Sequence, residues 1–413
     1  MVADWKKAIG PGLLYAGAAV GVSHIVQSTR AGALYGFALL GFVIVVNVLK
    51  YPFFEFGSRY TAATSLSLLS GYQKLGKWVL PAFVLLTLFT MFPILAAISA
   101  VFVGIISELF QPNYPPLALH ALALGSCCLF LVLGRFKLLD TLMRGIMLLL
   151  TLTTLVAAIA ALSELPLLEK ATQANFSWDL PGLLFLIAFA GWMPTPVDSS
   201  VWQSLWTLEK RATSGISSWR AVQFDFQLGY GLSTLLAVVF VFIGAVVVYG
   251  TSTALPAQAA AFAAGFLNIY VQLLGPWAYV VVAISIFATI FSTLLTVMDG
   301  YPRVLQESVR ILRGKAESRS LYYWLALGLF LVGTLFLLHF HPNNMLQLVD
   351  LATSLSFLTA PILGWWNYRL VNDKNFPSAF QPSAFLKGLS WLGLIFLSLF
   401  SLVFLLSKLG VLA

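Results

Sequence analysis

Eleven long apolar stretches recur along this chain, and each approaches or exceeds the roughly 20 residues that carry a helix across about 30 Å of hydrocarbon. They cover residues 9–34, 37–62, 78–110, 118–134, 138–163, 181–206, 222–249, 274–301, 321–341, 346–370 and 386–409. The runs are continuous, without the ten-residue blocks of alternation that mark membrane barrel strands. A backbone crossing lipid must satisfy its own polar groups, and in continuous runs only a helix does so. Composition agrees: 60% of the 413 residues are hydrophobic and 9% charged, against roughly half and a quarter in soluble domains. The expected class is an all-α polytopic membrane protein of about 11 transmembrane helices. Residues 1–413 then form a single transmembrane domain, since no soluble segment is long enough to fold alone. Met1 to Lys7 leads into an apolar stretch too long for a cleavable signal, so the first helix is expected to be retained.

If the spans alternate sides, the basic residues separate sharply. Lys6, Lys7, Arg59, Lys74, Lys77, Arg135, Lys137, Arg144, Lys210, Arg211, Arg220, Arg303, Arg310, Arg313, Lys315, Arg319, Arg369, Lys374 and Lys387 fall on one side; Arg30, Lys170 and Lys408 fall on the other, and Lys50 lies inside a span. The positive-inside rule then puts the N-terminus in the cytoplasm and the C-terminus outside, in what is expected to be a bacterial cytoplasmic (inner) membrane. The net charge of +8 is accounted for by these topology determinants and does not point to nucleic acid. Adjacent Cys127 and Cys128 in an apolar helix read as small hydrophobes, not a disulfide or redox pair. Thr251 to Gly265 is too weakly apolar to span and reads as an outer loop or short interfacial helix; Gln306 to Ser320, rich in basic residues, reads as an interfacial helix.

Two spans carry helix breakers near mid-membrane. The first has Gly17 and Gly21 followed by Ser23 and His24; the sixth has Gly191-Trp192-Met193-Pro194-Thr195-Pro196, then Asp198, Ser199 and Ser200. Breaks five helices apart are the signature of a five-plus-five inverted repeat, with repeat one over about 9–163, repeat two over about 181–370 and an extra helix over 386–409. Backbone freed by such breaks is tolerated in a membrane where it lines a cavity, so the paired breaks locate the substrate site. An acid two residues beyond Pro-Thr-Pro strengthens this for the sixth span, because a membrane carboxylate is costly enough to require a reason.

Several segments resemble the Nramp divalent-metal transporters. Gly10-Pro11-Gly12 and the closing Gly32-Ala33-Leu34-Tyr35-Gly36 are similar to that family's opening. Ala190-Gly191-Trp192-Met193-Pro194 is similar to its Ala-x-x-Met-Pro, and Val297-Met298-Asp299-Gly300-Tyr301 to its Val-Met-Glu-Gly-Phe. The resemblance runs in order along nearly the whole chain and implies a LeuT-like fold with helices 1 and 6 broken. It also implies a proton-linked metal cation as cargo. The departures are specific. Where the family carries Asp-Pro-Gly-Asn, this chain has Gly21-Val22-Ser23-His24, and the two family His residues after Met-Pro are replaced by Thr195 and Ser200. By resemblance the Ala190 carbonyl and the Met193 thioether are ligands, the latter favouring transition metals, and His24 stands at the Asn ligand position.

The candidate substrate-binding residues are therefore Gly21, Ser23, His24, Ala190, Met193, Thr195 and Asp198, with His24, Met193 and Asp198 as the metal set. Asp198 is the replacement carboxylate, although an acid at a helix N-terminus is also a favourable dipole partner. Candidate proton or gating groups are Lys50, Glu55, Asp140, Arg144, Asp299 and Arg303. The pairs Asp140–Arg144 and Asp299–Arg303 have i, i+4 spacing and read first as ion pairs. Buried Lys50 stands in for a coupling ion or pairs with a neighbouring acid. Trp192 either stacks on an organic substrate or plugs the cavity. The expected function is secondary-active, symporter-like transport of a metal cation by alternating access. The alternatives are the same fold carrying a small organic solute or other ion, or a transport-inactive scaffold or sensor. No zinc-protease, nucleophile-elbow or phosphate-loop motif is present, so no enzyme is expected. No cofactor is expected either, nor a nucleic acid or obligate protein partner; the partners are the transported species and the bilayer.

Overall fold

The computed structural model of the chain describes residues 10–133, 136–214, 218–251, 255–315, 319–340 and 344–411. Lys6, Lys7, Arg135 and His341 lie outside the described residues, as do the side chains of Lys137, Asp140 and Arg144. The regular structure among the described residues is helical. The first apolar stretch is divided into α1 (Pro11–Ala19), a π-helical turn (Ser23–Ser28) and α2 (Thr29–Tyr35); α3 (Leu40–Thr64) follows after a reversal at Gly36, whose φ is 51°. Next come α4 (Leu68–Leu75), α5 (Val79–Phe110), α6 (Pro116–Val132), α7 (Phe136–Ala161) and α8 (Leu165–Thr172). The sixth stretch is divided into α9 (Leu180–Gly191) and α10 (Ser199–Ser214). The remainder is α11 (Trp219–Val247), α12 (Ala259–Leu274), α13 (Trp277–Leu312), α14 (Ser320–Phe340), α15 (Met345–Val371) and α16 (Ala384–Lys408).

Seven of the described helices are long and apolar enough to cross a membrane alone, or eight if the bent pair ending in α8 is one span. The remaining apolar stretches are the two broken ones and the 17-residue α6. Each of the eleven stretches read from the sequence is thus helical, and those that miss the length test are the broken and the short ones. One loop assignment changes. Most of Gln306 to Ser320 is not a separate interfacial helix, because α13 runs on through Leu312 as a 36-residue helix. Thr251 to Gly265 supplies the start of a 16-residue helix, α12.

Contacts along the chain give the span directions. Gly12 meets Asp225, His24 meets Ser233, and Gly32 meets Val241 and Ala245, so the first span runs parallel to α11. On α3, Asn47 meets Tyr230, Tyr51 meets Gln227 and Arg59 meets Trp219, so α3 runs antiparallel to α11 and to the first span. The sixth span runs parallel to α3, as shown by Phe42 with Phe189, Lys50 with Ala190, and Gly57 with Ser200. Span 1 against span 7 therefore mirrors span 6 against span 2, the relation an inverted repeat requires. Close approach at the first pair depends on missing side chains: a Cβ on Gly12 would lie 1.9 Å from the Asp225 carbonyl oxygen, and one on Gly229 1.9 Å from that of Gly12. Small residues that bring backbones together are how helices associate without a hydrophobic drive from lipid.

Helices α5 and α13 pack together and wall one side of the broken spans, while α15 packs on α5 and α9, and α16 lies outside on α3 and α15. The outer faces of α6, α13, α14 and α16 expose Leu122, Leu129, Val280, Ile284, Val332, Phe336, Ile395 and Leu399. Such a surface suits hydrocarbon as its solvent. One end of the bundle gathers Arg59, Lys210 and Arg211, with Arg211 donating to the Thr61 and Ala62 carbonyls at 2.8 Å each. This is the basic end. The other carries Arg30, Asp350 and Lys170, whose ammonium donates to the Gly250 carbonyl.

Candidate substrate site

The two breaks face each other across a cavity of about 40 Å3, with room for about three water-sized species. It is lined from the first span by Ala18, Ala19, Val22 and Ser23, and from the sixth by Trp192, Thr195, Pro196, Asp198 and Ser199. Ile94 and Ile98 of α5 and Thr293, Val297 and Tyr301 of α13 close it, and Trp202 of α10 forms its floor. A Cβ on Gly21 would lie 2.7 Å from Thr293 Oγ1, so the first break presses on α13 where the cavity narrows.

The two proline rings at 194 and 196 remove backbone donors, and α9 ends at Gly191, leaving the carbonyls of this turn without helical partners. Lys50, wholly buried on α3, fills that gap. Its Nζ donates to the carbonyls of Ala190 at 2.9 Å, Gly191 at 3.1 Å and Thr195 at 3.1 Å. All three ammonium donors are thereby matched to acceptors, and the Phe54 ring lies 5.8 Å from the charge. Lys50 does not pair directly with an acid. Its ammonium takes the Ala190 carbonyl that the family resemblance assigned to a metal ion.

Asp198 precedes α10 and stands 8% exposed in the cavity wall, where Tyr301 donates its hydroxyl at 2.8 Å. The position combines a helix N-terminus, which favours negative charge, with a phenol donor. Tyr301 is packed edge-on against Trp202, with ring centroids 5.0 Å apart. Beyond Trp202 a wider vestibule of about 330 Å3 opens, lined by Trp206, Glu209, Gly300, Arg303 and Glu307. The cavity therefore approaches the basic end, separated from it by one indole. Trp192 lines the cavity, and its indole N–H donates to Ser356 Oγ at 2.9 Å, tying the ring to α15.

His24 and Met193 do not line this cavity. The His24 ring faces α11, where Nε2–H donates to the Ser233 carbonyl and Nδ1 meets the Ser23 hydroxyl, both at 2.8 Å. Both nitrogens are occupied, so no lone pair is directed at the Asp198 carboxylate. Met193 Sδ receives the Ser28 hydroxyl at 3.6 Å. No group of three or more His, Cys, Asp or Glu side chains converges among the described residues. The three side chains named as a metal set are thus separated by the fold, with Asp198 alone in the cavity. Gly21 sits at the break beside α13, and Ser23 joins its Oγ to the Ala19 carbonyl at 2.5 Å while reaching the cavity wall.

Among the described residues, the remaining ionisable candidates form local pairs. Glu55 accepts from Arg59 at 2.5 Å, and Arg59 also donates to the Phe380 carbonyl at 2.7 Å. Asp299 accepts from Arg303 at 2.5 Å and from Tyr323 at 2.8 Å, joining α13 to α14. At the end opposite the basic one, Arg30 donates to both carboxylate oxygens of Asp350, at 2.8 and 3.3 Å, and Gln27 adds a bond to the same carboxylate at 3.1 Å. This ties the first span to α15 at that end of the bundle. Sequence reasoning passed over this lock, and over Tyr301 and Trp202 as site residues. Tyr301 closes the Val-Met-Asp-Gly-Tyr segment, the one signal that pointed to it.

A cavity held between two interrupted helices, with an aromatic side chain between it and the wider vestibule, defines a secondary transporter of the LeuT-like class. Structures of this class superpose over nearly the whole chain. A mutant of the Eremococcus coleocola manganese transporter gives a TM-score of 0.70 at 15% identity, covering 98% of this chain and 88% of that one. MhsT in complex with L-phenylalanine gives 0.62 at 17% identity, covering 95% and 98%. Within the class, residues 12–407 match the family model for natural resistance-associated macrophage protein-like (Nramp) proteins, and the chain belongs to that family. An uncharacterized protein of Pasteurella multocida is 35% identical over 406 residues, spanning 98% of this chain and 93% of that protein.

Proposed function

We propose that this protein moves a metal cation across a bacterial cytoplasmic membrane by alternating access, and that Asp198 is the anionic group that receives the cation. The observation that carries the reading is the Asp198 carboxylate in the wall of the cavity between the two breaks. Ser23, Thr195 and Ser199 supply neutral oxygens around it, a hard-donor set that suits an oxygen-seeking dication better than a soft one. In this reading residues 9–163 and 181–370 are the two repeats and 386–409 an appended helix. The basic end faces the cytoplasm, with the N-terminus on that side and the C-terminus outside. The process is transport without a chemical reaction.

A second reading has one observation in its favour: Trp192, Trp202 and Tyr301 line the same small cavity, and aromatic faces accept organic cations. Uptake of a panel of divalent metals into proteoliposomes separates the two. Saturable uptake of Mn2+ or Mg2+ that is lost in Asp198→Asn, with the variant still folded, is the expected result. Folded wild-type protein that moves no divalent metal overturns the metal reading in favour of the organic one.

A further inference from the structure

Trp202 lines both the cavity and the vestibule, and it is lightly held. Trp192 donates its indole N–H to Ser356, but among the described residues the Trp202 N–H has no acceptor. The Trp202 ring rests on the backbone of α13 at Gly300, where a Cβ would lie 3.1 Å from it. Its aromatic neighbours are Trp206, with centroids 6.2 Å apart, and Tyr301 at 5.0 Å. Trp206 belongs to the same helix and moves with it, so Tyr301 is the ring that fixes Trp202 from outside α10.

Tyr301 is anchored at its far end. Its hydroxyl donates to Asp198 Oδ2 at 2.8 Å, and Phe330 of α14 packs edge-on against its ring at 5.5 Å. Among the described residues this is the one side-chain hydrogen bond that Asp198 receives. A buried phenol has to be paired, and a carboxylate acceptor makes that bond the stronger, charge-assisted kind. Asp198 and Trp202 are four residues apart at the start of α10, and Tyr301 touches both.

We propose that Tyr301 is the positioning residue that makes the floor answer to the cation: its hydroxyl, held by Asp198, keeps its ring against Trp202, and a cation at Asp198 releases it. The inference rests on the reading of Asp198 given above. A dication against the carboxylate draws the oxygens toward itself and takes up the charge that strengthened the phenol's bond. Tyr301 then loses its tether, and Trp202 turns into the vestibule of about 330 Å3, opening the cavity toward the basic end. The cation favours the open floor because there the carboxylate is no longer shared with the phenol, and such differential binding is what shifts a conformational equilibrium.

Backbone amide exchange around Trp202, followed by mass spectrometry on the purified full-length protein with and without Mn2+, reads the floor, and calorimetry on the same samples reads binding. In wild type, saturating Mn2+ is expected to speed exchange of this segment by ~10-fold, the effect of losing one hydrogen bond to a charged group. Tyr301→Phe keeps the ring and removes only the hydroxyl. It is expected to bind Mn2+, to exchange fast without it and to show no further rise, whereas a role in packing alone would leave it like wild type. Asp198→Ala severs the same bond from the other side and serves if the Phe variant is not monodisperse; it too is expected to exchange fast without Mn2+. Slow exchange in a folded variant without Mn2+, or Mn2+ bound by wild type with no rise in exchange, overturns the role of Tyr301 and leaves the metal reading standing. Absence of Mn2+ binding to folded wild type overturns both.

Discussion

The two interrupted spans occupy equivalent places in the repeat and solve the same physical problem in opposite directions. At the first break the broken helix donates: His24 sends its Nε2–H to the Ser233 carbonyl of α11. At the sixth the broken helix accepts, and α3, the repeat mate of α11, sends in the Lys50 ammonium. The first break is closed with neutral groups, whereas the sixth holds a cation and, one turn on, the Asp198 carboxylate. Pro194 and Pro196 explain part of the difference, since they remove donors and leave a surplus of carbonyls that a cation satisfies best. Charge, and with it the capacity to recognise charge, is concentrated at the second break.

Removing the cation tests this most severely. Lys50→Met leaves three carbonyls without their buried charged donor, and a loss of about 3 kcal/mol or more is expected, read as a large drop in the melting temperature in detergent. Survival of Lys50→Met with an unchanged melting temperature would erase the contrast between the breaks. His24→Leu removes a neutral donor and exposes no unpaired charge, so its cost should be smaller, about 1–3 kcal/mol in the same assay. If His24→Leu proved the more damaging, the first break would be the critical one. The smallest effect on stability is expected from Arg30→Gln, about 1 kcal/mol, because Asp350 is 39% exposed. Its consequence should be positional: with the lock to α15 gone, a cysteine placed at Val22 should become reactive to a membrane-impermeant thiol reagent from the end opposite the basic one. No gain in reactivity would mean that the ion pair does not seal the cavity.

Much of the fold was legible in the sequence because the membrane imposes a strict rule. Backbone groups must be paired within each apolar run, so length, helicity and the positions of Gly21 and Pro194-Thr195-Pro196 translate almost directly into spans and breaks. The loops were harder, since the polar end of α13 reads like a connection until its packing is seen. The site divided along a similar line. Asp198 was legible because a carboxylate in an apolar run needs a reason, and Lys50 stood out on the same ground. That Lys50 reaches the carbonyls of a span 140 residues away was not legible, and neither was the Arg30–Asp350 lock across 320 residues.

The proposed convergence of His24, Met193 and Asp198 did not form, because proximity to a break in sequence says nothing about which face of the turn a side chain takes. The amino-acid pattern by itself determined the solvent, the helix class, the paired interruptions and the family. The tertiary structure alone decided which charge enters which interruption, because that depends on how spans distant in sequence rotate against one another, and helical periodicity specifies a face without naming its neighbour.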